Sequence, residues 1–127
     1  MKKLTPTVEE MEALRATMPP GPVVVVNLLK FKADGGREAY SRYWQALPAF
    51  PPGTRILYSG EAGPDLAAGE DWDFVLLVEY SDFDALAGAA TRPEYQSGAA
   101  SLRPDALEKT LAMISYPAAV SEIFNQL

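Results

Sequence analysis

The sequence predicts an α+β fold in which one four-stranded antiparallel sheet carries helices on a single face. Three observations lead there. Short apolar runs of strand character alternate with segments of helical spacing. The strands have one apolar face and one mixed face, as half-covered antiparallel strands do. The 127 residues suit one domain with one core, 1–127, divided into an N-terminal helix (1–20), a core unit (21–117) and an amphipathic C-terminal tail (118–127).

The elements follow in order. Thr7 and Glu10 have the T-x-x-E spacing of a capping box, and Val8, Met11, Leu14 and Met18 then form one helical stripe that Pro19 and Pro20 end. The run VVVVNLLKF, 23–31, is a strand entered abruptly from Gly21-Pro22. It places Val23, Val25, Asn27, Leu29 and Phe31 on one face and Val24, Val26, Leu28 and Lys30 on the other. After Asp34-Gly35-Gly36, Tyr40, Tyr43, Trp44 and Leu47 recur at i, i+3, i+4 and i+7, an aromatic helix face closed by Pro48.

TRILYSGEA reads as a strand with Ile56 and Tyr58 on one side and Arg55, Leu57, Ser59 and Glu61 on the other. A loop at 63–71 precedes the strand WDFVLLVEY, where Trp72, Phe74, Leu76, Val78 and Tyr80 oppose Asp73, Val75, Leu77 and Glu79. Ser81 is the expected cap of the next helix, with Asp82 and Asp84 favourable in its first turn. PEYQSGAAS adds a turn or two, Pro104 opens a short helix expected to run through Lys109, and TLAMISY is the last strand. Val120, Ile123, Phe124 and Leu127 give the tail a helical stripe. Without the first helix and the tail, the order is βαββαβ, that of a ferredoxin-like unit. Helices of such a unit cover one face only, yet Leu57, Val75 and Leu77 lie on the other, so a homodimer is expected to cover them.

Composition narrows the chemistry. Seventeen acidic against eleven basic residues, a net charge of −6, make nucleic acid and anionic membrane surfaces poor partners. The chain has no cysteine and no histidine. Disulfides, thiol nucleophiles, Ser-His triads and the usual zinc and haem ligand sets are thereby excluded. No apolar run approaches a bilayer span, and MKKLTPTVEEMEAL turns acidic without an apolar signal region, so the expected location is cytoplasmic. No cofactor is expected, because Gly60 and Gly63 lack the lysine and helix of a phosphate loop. No metal is expected either: Glu70, Asp71 and Asp73 lack the ligand spacing of a calcium loop and read as solvated charges.

VVVVNLLKF, the aromatic set Tyr40, Tyr43 and Trp44, WDFVLLVEYSDFDAL and RPEYQ, taken in order, resemble the domain-of-unknown-function family 1330 within the dimeric α/β-barrel superfamily. The resemblance runs from about Gly21 to Pro117. It implies a homodimer with face-to-face sheets and a cavity of the kind related superfamilies use for small molecules, and it brings no catalytic residues with it. The first helix and the tail lie outside its pattern.

The candidate pocket comprises Asn27, Tyr40, Tyr43, Arg55, Trp72, Asp73 and Tyr95. Asn27 in an apolar strand needs partners, for which Arg55, Ser59, Asp73 and Glu79 on neighbouring strands are available; it either ties strands together or lines a hydrated pocket. The aromatic set, with Trp44, is either packed core or the wall of a site for an aromatic compound. Lys30, near a strand end, is expected to snorkel or to guard an edge. Three functions stay open: a cofactor-independent oxygenase or isomerase, as the superfamily resemblance implies, with Asn27 and a tyrosine polarising the substrate; a non-catalytic binder of a small hydrophobic ligand; and a structural dimer.

Overall fold

The computed structural model describes residues 5–118. The helical stripe read over 119–127 lies outside them. The elements are α1 (Val8–Leu14), β1 (Val23–Phe31), α2 (Gly36–Gln45), β2 (Arg55–Glu61), β3 (Phe74–Tyr80), α3 (Phe83–Thr91), α4 (Pro93–Ser97), α5 (Arg103–Ala106) and β4 (Leu107–Ser115). The four strands form one sheet in the order β2-β3-β1-β4, every neighbouring pair antiparallel. This is the predicted fold, and β1 has the predicted limits.

Local chemistry sets the helix starts. The Thr7 hydroxyl accepts from the Glu10 amide at 3.1 Å and the Glu10 carboxylate accepts from the Thr7 amide at 2.8 Å, completing the capping box of α1. The cap of α3 is Asp82, which accepts from the Ala85 amide at 2.8 Å, one residue after the Ser81 expected from sequence. At the start of α2 the chain passes so close to its neighbours that a Cβ on Gly36 would lie 2.7 Å from the Ala106 carbonyl oxygen. Only glycine permits that approach, which seats α2 against both β1 and α5.

Residues paired across strands share a face. Val23, Val25, Asn27 and Leu29 oppose Tyr80, Val78, Leu76 and Phe74, and this is the face under the helices. One core group there gathers Met11, Val23, Leu76, Val78, Tyr80, Phe83 and Leu86 beneath α1 and α3. A second gathers Leu29, Phe31, Tyr40, Tyr43, Ala106 and Leu107 beneath α2 and α5.

Two register shifts depart from simple alternation. A bulge between Ile56 and Tyr58 pairs Ile56 with Val78 but Tyr58 with Leu77, so Tyr58 stands on the open face rather than beside Ile56. There its ring lies over Gly60, close enough that an added Cβ would meet the hydroxyl at 2.5 Å. A second irregularity lies opposite Lys30 and Phe31. It lets β4 begin at Leu107, and α5, expected to reach Lys109, stops at Ala106.

Candidate functional site

A cavity of about 840 Å³ opens between the helices and the covered face of the sheet. Val25, Asn27, Leu76 and Val78 form its floor, Met11, Leu14 and Leu86 one side, and Tyr40, Tyr43, Trp44 and Leu47 of the α2 segment the other. Tyr95 of α4, Arg103 of α5 and Thr110 of β4 complete the wall.

An aromatic ladder braces this wall. Phe74 neighbours Phe31 at 6.4 Å between ring centroids, Phe31 neighbours Tyr40 at 5.5 Å, and Tyr40 stacks on Tyr43 at 5.3 Å. Tyr43 meets Tyr95 edge-on at 6.3 Å, and the two hydroxyls are hydrogen-bonded at 2.9 Å. The Arg103 guanidinium lies over the Tyr43 ring, 5.1 Å from its centroid, and the residue is only 6% exposed.

Titration behaviour follows from this packing. Burial raises the pKa of Tyr40 despite a hydrogen bond involving Trp44, and burial together with Tyr43 raises that of Tyr95. Both are neutral hydrogen-bonding phenols near pH 7. Burial acts against the charge of Arg103, but Tyr43, Tyr95 and Tyr40 more than offset it and the pKa lies above its ordinary value.

Asn27 both lines the cavity and is tied into the sheet. Its amide nitrogen donates to the Leu76 carbonyl at 3.2 Å and to the Val25 carbonyl at 3.3 Å. Its partners are backbone carbonyls, in place of the side chains anticipated from sequence, and one belongs to β3. With both amide protons so directed, the side chain holds β1 to β3 at the cavity floor.

Of the residues proposed from sequence, Asn27, Tyr40, Tyr43 and Tyr95 come together in the cavity wall; Arg55, Trp72 and Asp73 do not. Arg55 pairs with Glu79 at 2.7 Å, and both stand on the opposite face of the sheet. The ring of Trp72 lies under the Lys109 ammonium at 4.4 Å. Asp73 accepts from the Phe31 amide at 2.8 Å and from Lys30 at 3.4 Å. Alternation could not foresee this, because Trp72 and Asp73 precede β3, where the pleat no longer fixes direction.

The acidic cluster is neutralised rather than simply solvated: Lys30 bridges Asp71 at 2.8 Å as well as Asp73, and Lys109 bridges Glu70 at 3.2 Å. The hydrogen bond to Asp71 leads the causes that raise the Lys30 pKa, and Lys30 in turn lowers that of Asp71. Sequence reasoning missed Arg103. Its signal was weak, a lone arginine before a proline in a polar-looking segment.

No family model matches the chain, and no curated protein matches it. Solved structures do. A protein of unknown function from Rhodopseudomonas palustris is similar over 94% of this chain and 99% of its own, at 24% sequence identity and a TM-score of 0.76. A dabb family protein with a ferredoxin-like fold from Mesorhizobium loti is similar over 78% of this chain and 99% of its own, at 16% identity and a TM-score of 0.58. A dimeric protein of unknown function with a ferredoxin-like fold from Bacteroides fragilis is similar over 74% and 94%, at 21% identity and a TM-score of 0.51. This chain has a ferredoxin-like fold. Its resemblance to family 1330 stands at that coarser level. Among the described residues no helix is long and apolar enough to cross a membrane.

Proposed function

We propose that the protein is a homodimeric binder of a small, largely apolar or aromatic compound, which it holds in the cavity between sheet and helices. The cavity itself carries this reading. Its volume is within the range of small-molecule sites, its floor and sides are mostly aliphatic and aromatic, and a few polar groups converge at one part of its wall. Thermal-shift screening of aromatic and aliphatic compounds tests it: hits should raise the melting temperature in proportion to the logarithm of their concentration, and a chemically broad panel without a hit would defeat the reading.

The homodimer rests on the open face. There Val24, Val26 and Leu28 of β1 neighbour Val75 and Leu77 of β3, Tyr58 of β2, and Leu111 and Met113 of β4. Tyr58 is 54% exposed and Met113 53%. Ion pairs flank this apolar band, Arg55–Glu79 at one end and the Lys30 and Lys109 pairs at the other. An apolar centre with a charged rim of both signs suits a two-fold contact of the patch with itself. The dimeric Bacteroides fragilis protein of similar fold supports it.

One observation favours a catalytic variant of the same reading, cofactor-independent oxygenation or isomerisation. The hydrogen-bonded Tyr43–Tyr95 hydroxyls put a positioned proton donor in the cavity wall. Turnover of the best thermal-shift hit, lost in Tyr43→Phe while binding persists, would establish it; a hit bound but unchanged would leave the protein a binder.

A further inference from the structure

We propose that the N-terminal segment 5–18 is the lid of the cavity: it swings away from α3 to admit the compound, and the bound compound holds it shut. This rests on the cavity being a ligand site and adds how that site is entered.

The first argument is the place of the segment in the wall. Thr5, Pro6, Met11, Leu14 and Met18 line one side of the cavity, so lifting the segment opens that side to solvent. The facing side is clamped. Tyr40 and Tyr43 are buried there, and the close approach of Gly36 to the Ala106 carbonyl seats α2 against α5.

The second argument is how lightly the segment is held. With seven residues, α1 is too short to keep its helix alone in water even with a capping box, so docking on α3 orders it. Met11 is its one buried residue, in the core group with Phe83 and Leu86, and Met18 packs against that group. Val8 and Leu14 are exposed. Arg15 pairs with Asp84 and lies over the Phe83 ring, 5.7 Å from its centroid. The two charged side chains are 45% and 73% exposed, where water screens their attraction. An element with a single buried anchor and solvent-exposed polar contacts opens locally, without unfolding of the sheet.

The third argument is the joint. Pro19-Pro20-Gly21-Pro22 connects the segment to β1. The prolines fix their own backbones, whereas Gly21 has a φ of 100°, and a Cβ added there would meet nothing within 4 Å. Rotation about this unpacked residue leaves the β1–β3 ladder, which begins at Val23, in place.

The test uses full-length protein and reads the segment in two ways. In α1 the Met11 amide donates to the Thr7 carbonyl at 3.1 Å, and the Arg15 amide donates to that of Glu12. Hydrogen exchange should find these amides at least about a hundredfold less protected than the β1–β3 ladder. N-phenyl-1-naphthylamine, a neutral fluorescent probe, should slow their exchange by about tenfold when present at about ten times its Kd. In stopped-flow fluorescence with the same probe, Arg15→Gln should speed association and dissociation alike, by about two- to fivefold, and leave the affinity nearly unchanged. Arg15 turns to Asp84 rather than to the cavity, and loss of a contact to the probe would raise the dissociation rate alone. Asp84→Asn, the other half of the pair, should reproduce the change. Protection in α1 equal to that of the ladder, or association rates unmoved in both variants, overturns the lid and leaves the cavity reading intact. Failure of the probe to bind counts against the cavity reading as well as this one.

Discussion

The two faces of the sheet are built from the same strands and nearly the same residue types, yet their surroundings differ. On the covered face Val23 and Leu29 are fully buried, and the helices leave a hollow where Asn27 sits. On the open face Val24, Val26 and Leu28 alternate with them along β1, equally apolar and only half-buried. Apolarity therefore does not distinguish the face proposed to hold a ligand from the one proposed to meet a second copy. What differs is the polar complement. The covered face gathers a few donors at one place, and the open face spreads ion pairs around an apolar centre.

The largest expected effect breaks the open face. Leu77→Asp sets a carboxylate in the middle of the predicted two-fold contact, where leaving an unpaired charge buried is strongly unfavourable. The variant should be monomeric or unfolded by light scattering coupled to size exclusion, while the parent runs as a dimer at micromolar concentration. A parent of monomer mass, or a variant indistinguishable from a dimeric parent, would count against the contact.

Adjacent residues sharpen the comparison. Leu29 is 0% exposed within the protomer's own core, so Leu29→Ala should lower stability by about 2–5 kcal/mol at every protein concentration. Leu28→Ala, one residue earlier and facing the other way, should cost less, and its melting temperature should depend on protein concentration, because what it loses is association. Denaturation at two concentrations a hundredfold apart separates the cases. Concentration-independent loss in both would place Leu28 in the protomer's own core.

Alkaline titration probes the covered face alone. Burial, with Tyr43 as the lesser cause, pushes the Tyr80 pKa up to about 12. The folded protein thus holds this proton more tightly than the unfolded chain, whose tyrosines titrate near 10. Its contribution is fully present below pH 10 and is lost as the pH rises from there toward 12, a loss on the order of 2–3 kcal/mol. Tyr40 and Tyr95 shift in the same direction. Melting temperatures between pH 8 and 12 should fall from about pH 10 upward, in step with tyrosinate absorbance at about 295 nm. Tyr80→Phe should flatten part of the fall; an unchanged profile in that variant would show that Tyr80 does not titrate as its burial implies.

The smallest effect belongs to Asn27→Leu, which removes two hydrogen bonds to carbonyls in the sheet and adds apolar contact in their place. A loss of about 1 kcal/mol is expected, a few degrees in melting temperature, together with altered ligand affinity because the side chain is part of the cavity floor. Unchanged affinity for a hit whose binding depends on the cavity would take Asn27 out of the site.

Sequence alone determined what depends on short-range periodicity and capping. The limits of β1, the capping box at Thr7, the aromatic stripe of α2 and the strand and helix order were all legible, because local sterics and the alternation of apolar residues set them. Four of the seven proposed pocket residues share the cavity for the same reason: Asn27 lies on a regular strand, Tyr40 and Tyr43 lie on one helix face, and Tyr95 lies in the middle of the short α4. Only tertiary structure decided the rest. The bulge at Leu57 sends Tyr58 to the open face, since one extra residue in a pairing reverses every later side chain and leaves no compositional mark. Trp72 and Asp73 fall away from the cavity because long-range partners, Lys109, Lys30 and the Phe31 amide, claim them. Arg103 enters it because the approach of α5 to Gly36 brings a buried guanidinium over Tyr43, sixty residues distant in the chain. A charge becomes part of a site only when the fold removes it from water beside groups that keep it charged, and such a neighbourhood is set by packing.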